Sequence, residues 1–66
     1  MQILLNGQPR DIAAGSRVSD LLREAGYGER KVAVEVNLDV VPRSLHASHA
    51  LAEGDRVEII HAIGGG

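Results

Sequence analysis

Residues 1–26 read MQILLNGQPRDIAAGSRVSDLLREAG, and within this stretch the hydrophobic period changes from 2 to 3.6. Met1, Ile3 and Leu5 alternate with Gln2, Leu4 and Asn6, the pattern of a half-buried strand. Asn6-Gly7 follows at once, a dipeptide that accepts positive φ and closes a tight hairpin. The return strand runs from Gln8 to Ala13 with Ile12 inward, and Pro9, lacking an N–H, belongs at its start or on a sheet edge. Gly15-Ser16 breaks it. Val18, Leu21, Leu22 and Ala25 then fall at i, i+3, i+4 and i+7, one stripe of a helix. Ser16 is placed to cap that helix, Asp20 lies in its first turn, and Gly26 and Gly28 end it.

Beyond the helix, Val32, Val34 and Val36 alternate with Ala33, Glu35 and Asn37, a strand rich in β-branched residues. Asn37-Leu38-Asp39 turns into a short strand at Val40-Val41, which Pro42 closes. Ser44 to Glu53 forms a loop or a single helical turn anchored by Leu45 and Leu51; Gly54-Asp55 makes a turn. Val57 to Ile63 is the final strand, with Val57 and Ile59 inward. This order predicts an α+β fold, a mixed sheet of four to five strands with one helix packed across one face. Residues 1–63 form the domain, and 64–66 a flexible glycine tail. One helix covers one face only. The other meets water and should be polar unless something binds there, yet Leu4, Ile60 and Ala62 point that way.

Composition narrows the chemistry. At 66 residues, 44% apolar with Tyr27 the sole aromatic, the chain supports one aliphatic core and leaves no room for a large catalytic cleft beside it. The absence of cysteine excludes disulfides, thiolate metal sites and a thiol nucleophile. Seven Lys and Arg against nine Asp and Glu give a formal charge of −2, without the basic footprint that nucleic acid or an anionic membrane requires. Apolar runs are no longer than Ile3 to Leu5, far short of a membrane span or a signal-peptide core, so a cytoplasmic location is expected. His46 and His49 have the spacing of two ligands on one helical turn, but no third ligand is marked beyond Glu53 and Asp55, and no metal site is expected. Ser44, Ser48, the histidines and Asp55 supply residue types of a hydrolase triad without an oxyanion hole or pocket. Arg10, Arg17, Arg23, Arg30, Lys31, Arg43 and Arg56 are interleaved with acids and read as a solvated surface.

What remains is Gly64-Gly65-Gly66, placed directly after the last strand. Glycine lacks Cβ, so such a run can enter a narrow channel and leaves a terminal carboxylate open on all sides. A carboxylate resists nucleophiles because its leaving group is poor; adenylation by ATP corrects this and lets the acyl carbon accept an amine, a thiol or a persulfide sulfur. Gly66 is then the candidate reactive residue, with Gly64 and Gly65 threading a partner's active site.

Several segments together resemble a known family. They are Met1-Gln2-Ile3, Asn6-Gly7, Val18 with Leu21-Leu22, Val34-Glu35-Val36-Asn37 through Val41-Pro42-Arg43, and, most specifically, Gly54-Asp55-Arg56-Val57-Glu58-Ile59 and His61-Ala62-Ile63-Gly64-Gly65-Gly66. The chain is similar to the ubiquitin-like β-grasp sulfur carriers of the ThiS type, which serve thiazole formation in thiamine biosynthesis. The resemblance implies a protein cosubstrate, not an enzyme, with no bound cofactor. A ThiF-like adenylyltransferase of the ubiquitin-activating type would consume ATP to adenylate Gly66. A sulfur donor such as a cysteine desulfurase would convert it to a thiocarboxylate (1-thioglycine), and a ThiG-like thiazole synthase would take the sulfur. Leu4, Ile60, Ala62 and Ile63 would form the docking patch. Two other readings stay open: the small subunit of molybdopterin synthase, with the same terminal chemistry, and a β-grasp module that binds partners non-covalently. Two departures from the family bear on local geometry. Leu38 stands where glycine is common, which argues against a two-residue I′ turn and for a looser connection through Asp39; Arg17 replaces a frequent Thr, which leaves capping to Ser16.

Overall fold

The computed structural model describes residues 1–28 and 30–61. Strands β1 (Gln2–Leu5) and β2 (Gln8–Asp11) form the first hairpin, and helix α1 (Val18–Glu24) follows. Strands β3 (Val32–Val36) and β4 (Asp39–Val41), a 3-10 turn at Arg43–Leu45 and strand β5 (Arg56–His61) complete the order. The sheet runs β2-β1-β5-β3-β4. β5 lies in the middle, parallel to β1 and antiparallel to β3, so the last strand is the one that unites the two hairpins. Pro9 sits on edge strand β2, where its missing N–H leaves no ladder bond unmade.

Inward residues of β1, α1, β3, β4 and β5 meet in one aliphatic core, joined by Ile12 and Leu51 from the connecting segments. Ile3, Ile12, Val18, Leu21, Leu22, Val34, Val36, Val41, Leu51, Val57 and Ile59 are all buried. Val18, Leu21 and Leu22 of the predicted stripe are buried, whereas Ala25, its fourth member, is the half-buried C-cap residue. Gly26, at φ 91°, ends the helix by letting Gly26 N–H reach the Arg23 carbonyl and Tyr27 N–H reach that of Leu22. Its start differs from the sequence expectation. Arg17, not Ser16, is the N-cap residue, and its backbone N–H donates to Asp20 Oδ2 at 2.9 Å. Ser16 is buried, and its hydroxyl donates instead to the Ala13 carbonyl at 2.7 Å. The free N–H groups of Val18 and Ser19 are satisfied by the carbonyls of His49 and His46, so the loop after β4 caps the helix that a serine was expected to cap.

Asp20 is held below the ordinary carboxylate range, first by the Arg17 backbone N–H and then by the Arg23 guanidinium 2.7 Å away. A depressed carboxyl pKa contributes stability that is present above the unfolded value of about 3.9 and is lost as pH falls through the folded value. Acid titration followed by helical circular dichroism will therefore show a loss below about pH 4 that Asp20→Asn, which keeps an acceptor but cannot titrate, removes.

The second hairpin also corrects the sequence reading. Val36 pairs with Asp39, which leaves Asn37 and Leu38 alone in the loop, at φ 52° and 73°. This is a two-residue turn with both residues left-handed, the geometry Leu38 seemed to forbid. Tertiary bonds impose it. Asn37 Nδ2 donates to Asp55 Oδ1 at 3.0 Å, Arg56 N–H donates to Asn37 Oδ1 at 3.0 Å, and Asn37 N–H reaches the Arg56 carbonyl at 2.7 Å. Leu38 is 75% exposed and loses little packing if truncated. Leu38→Gly will thus stabilise the domain by about 0.5–1 kcal/mol, the relief of left-handed strain less the added freedom of the unfolded chain, read as a higher urea midpoint.

A third correction concerns the loop after β4. Leu51 is a core residue, as expected, but Leu45 is 47% exposed and anchors nothing deep. His46 takes that place: it is buried, and its Nε2–H donates to the Val41 carbonyl at 3.0 Å. A hydrogen-bonded imidazole carries its polar edge into the interior at low cost, whereas the 3-10 turn directs the neighbouring leucine to solvent.

Candidate functional site: the outer sheet face and the end of the central strand

The site expected from the sequence lies on the sheet face away from α1 and at the end of β5. Strand parity decides which side chains reach that face. Val57 and Ile59 are buried under the helix, so Arg56, Glu58 and Ile60 point outward, and Ile60 is 52% exposed. On β1, Ile3 is buried, which turns Leu4 outward; it is half-buried beside Arg56. The inward and outward sets of β5 are therefore as the alternation of the sequence predicts.

The geometry divides the expected docking residues. Leu4 and Ile60 share one face but are not neighbours. Leu4 pairs with Arg56 and Ile60 with Ala33, four residues further along β5, a separation of about 13 Å. Between them runs a row in which Glu58 faces Glu35, and Val40, 66% exposed, lies beyond Glu35 on β4. Like charges directly opposed across a ladder destabilise a free sheet. Leu4 instead joins Leu38, Asn37, Gly54 and Arg56 around a depression of about 270 Å³. Val40 and Leu38 were missed as exposed apolar residues. The alternation of β3 does carry the signal for Val40, because the outward Glu35 pairs with it.

At its far end β5 reaches His61, which pairs with Val32 and sets its ring edge-on against Tyr27, centroids 5.9 Å apart. The remaining candidate residues, Ala62, Ile63, Gly64, Gly65 and Gly66, lie outside the described residues, as does the expected tail. What the described part establishes is their attachment point, the end of the central strand.

The alternative chemistries do not assemble. His49 and Asp55 line a surface cavity of about 320 Å³ with Asn37 and Asp39, but neither Ser44 nor Ser48 does, so no triad forms there. His46 is turned away into its bond with Val41. Among the described residues, no group of three or more His, Asp or Glu comes together as a metal site. No helix among them is long and apolar enough to cross a membrane.

Comparison with known proteins agrees with this architecture. The model of the ThiS family matches residues 3–66. Over all 66 residues the chain is 36% identical to the sulfur carrier protein ThiS of Escherichia coli, covering the whole of that protein. It is 47% identical to a thiazole synthase of Paramagnetospirillum magneticum, of which it spans one fifth (20%) of the length. Its fold is similar to the crystal structure of the thiamine biosynthesis protein ThiS from Geobacter metallireducens, with a TM-score of 0.85 at 30% identity and complete coverage of both chains. That likeness makes the helix-covered mixed sheet a ubiquitin-like β-grasp. With a sheet joined through its last strand, a glycine run beyond that strand and full-length similarity in both sequence and fold, the chain belongs to the ThiS family.

Proposed function

We propose that this chain is a sulfur carrier of thiamine biosynthesis, a protein cosubstrate whose Gly66 bears the sulfur. The observation that carries the reading is the full-length similarity to a sulfur carrier in a chain where Gly64-Gly65-Gly66 come after the central strand in sequence. In the cycle, a carboxylate oxygen of Gly66 attacks the α-phosphorus of ATP on a separate ThiF-like adenylyltransferase, and pyrophosphate leaves. The persulfide of a donor such as a cysteine desulfurase then forms the C–S bond as AMP departs. A thiol cleaves the S–S bond of the resulting acyl disulfide, which leaves the thiocarboxylate on Gly66 and a disulfide in place of the thiol and the donor's cysteine. A thiazole synthase consumes that sulfur and returns the carboxylate. In this cycle the body of the domain supplies position, and the activating chemistry belongs to the separate adenylyltransferase.

The outer face supports docking. Ile60 stands on β5, the last strand before the glycine run, and Leu4 marks a second apolar contact further back on the same face, while Ala62 and Ile63 follow β5 in sequence. A partner that takes the tail into its active site must come up to the end of β5 and so covers this face. A cytoplasmic location accords with the need for ATP. That thiazole synthases contain a region similar to this entire chain favours thiazole formation over the molybdopterin acceptor. Intact-mass measurement of the chain purified from growing cells is the test. A species in which one oxygen is replaced by sulfur, lost when the adenylyltransferase is deleted, is the expected result. A chain that never carries sulfur would leave only the non-covalent module.

A further inference from the structure

Glu35 of β3 and Glu58 of β5 stand directly opposite each other in the ladder. Residues so opposed carry their Cβ atoms about 4.5–5.5 Å apart on the same side of the sheet. Parity fixes that side: Val34, Val36, Val57 and Ile59 are buried under the helix, which turns both glutamates to the outer face. Glu35 is half-buried and Glu58 exposed. Their row continues to the exposed Val40 on β4, and the next row toward the end of β5 pairs Ala33 with the exposed Ile60. Two carboxylates thus stand side by side with apolar side chains on two of their flanks.

No basic side chain of the domain pairs with them. All seven Lys and Arg and all three His lie among the described residues, and the only ion pair among these is Arg23–Asp20. Arg56 stands two positions before Glu58 on the same face and makes no ion pair with it. The opposed carboxylates repel each other in the free domain, and a cation placed between them reverses the sign of that interaction. The planar fork of an arginine suits two acceptors held side by side. The exposed Val40 and Ile60 make a protein surface the carrier of that charge, because a partner's apolar atoms cover them and a hydrated metal ion does not. Excluding water there strengthens the attraction. Charge complementarity also selects the partner. An enzyme that binds the polyphosphate of ATP carries cationic side chains about its site, and an acidic face is drawn to it.

We propose that Glu35 and Glu58 form the docking point for one basic side chain of the adenylyltransferase, in a contact that also covers Val40 and Ile60. The proposal rests on the reading of the outer face as the surface this partner covers, and adds the charge the partner presents there. The test is calorimetric titration of the full chain with the adenylyltransferase in the absence of ATP. Glu35→Gln and Glu58→Gln each weaken binding about tenfold, and the double variant loses less than the two losses combined, because one cation serves both carboxylates. Sodium chloride weakens the native complex more steeply than that of the double variant. Glu24→Gln, an equal loss of charge on α1, binds as the native chain does. The urea midpoint of the free double variant is no lower than that of the native chain, which separates weakened binding from unfolding. Glutamine variants that bind as the native chain does, while that chain still supports pyrophosphate release, would overturn the proposal and leave the sulfur-carrier reading standing. An equal loss in Glu24→Gln would overturn it as well, and so would native binding abolished by a chelator, which assigns the pair to a divalent cation. A native chain that neither binds the enzyme nor supports pyrophosphate release would overturn both.

Discussion

A chain lacking Gly66 will acquire no sulfur, and a chain extended by one alanine beyond Gly66 will fail in the same way. The physical reason is reach. In the proposed mechanism the carboxylate must meet the α-phosphorus of ATP in line for displacement, and misplacement by about 1 Å already costs a large part of the advantage of proximity. Each residue added or removed moves the reacting carbon by roughly 3.3–3.6 Å along an extended tail. Gly65→Val tests the width of the channel in the same assay, since a branched side chain is forced where glycine passes. All three changes lie beyond His61, the last described residue of β5, and none replaces a residue of the described core, so thermal melting should be unchanged. Pyrophosphate release in the presence of the adenylyltransferase and ATP is the readout. Normal thiocarboxylate formation on the alanine-extended chain would refute the terminal-carboxylate mechanism.

Leu21→Ala will leave the domain little or no stability at room temperature. Leu21 is fully buried on α1, where the helix stripe meets the sheet, and truncating such a leucine costs about 2–5 kcal/mol. A domain of this length holds only about 3–5 kcal/mol in total, so one side chain accounts for most of the margin. The contrasting variant is Ile60→Asp, next in sequence to buried Ile59 but on the opposite face. It should melt with the native chain while binding the adenylyltransferase about tenfold or more weakly. Circular dichroism at increasing urea separates the two: a cooperative transition near the native midpoint in Leu21→Ala would show that the helix is not the keystone of the core.

Most of the element order is legible in the residues themselves. The alternation of Ile3, Val34, Val36, Val57 and Ile59, and the stripe of Val18, Leu21 and Leu22, define strand and helix with their buried faces, because period 2 and period 3.6 follow from backbone geometry alone. Asn6-Gly7 forms its hairpin turn for the same local reason, with Leu5 opposite Gln8 and φ of 50° and 84°. The glycine run that carries the proposed chemistry is readable without any structure, as is the outward direction of Ile60.

Where bonds from distant segments outweigh local preference, the sequence misleads. Leu38 alone disfavours a left-handed turn, yet Asn37 is clamped by Asp55 and Arg56, and the paired valines of β3 and β4 impose the register. Ser16 has the chemistry of a cap, but burial directs its hydroxyl to Ala13 and the loop carbonyls take over the helix end. The exchange of Leu45 for His46 as the buried anchor depends on a carbonyl of β4 that comes within hydrogen-bond distance only once the chain has folded. The sequence by itself determined the elements and their buried faces, because these follow from local periodicity, and it displays the glycine run directly. The tertiary structure alone decided the central place of β5 and the separation of Leu4 from Ile60. Each of these is a pairing between segments remote along the chain, which local preference does not encode.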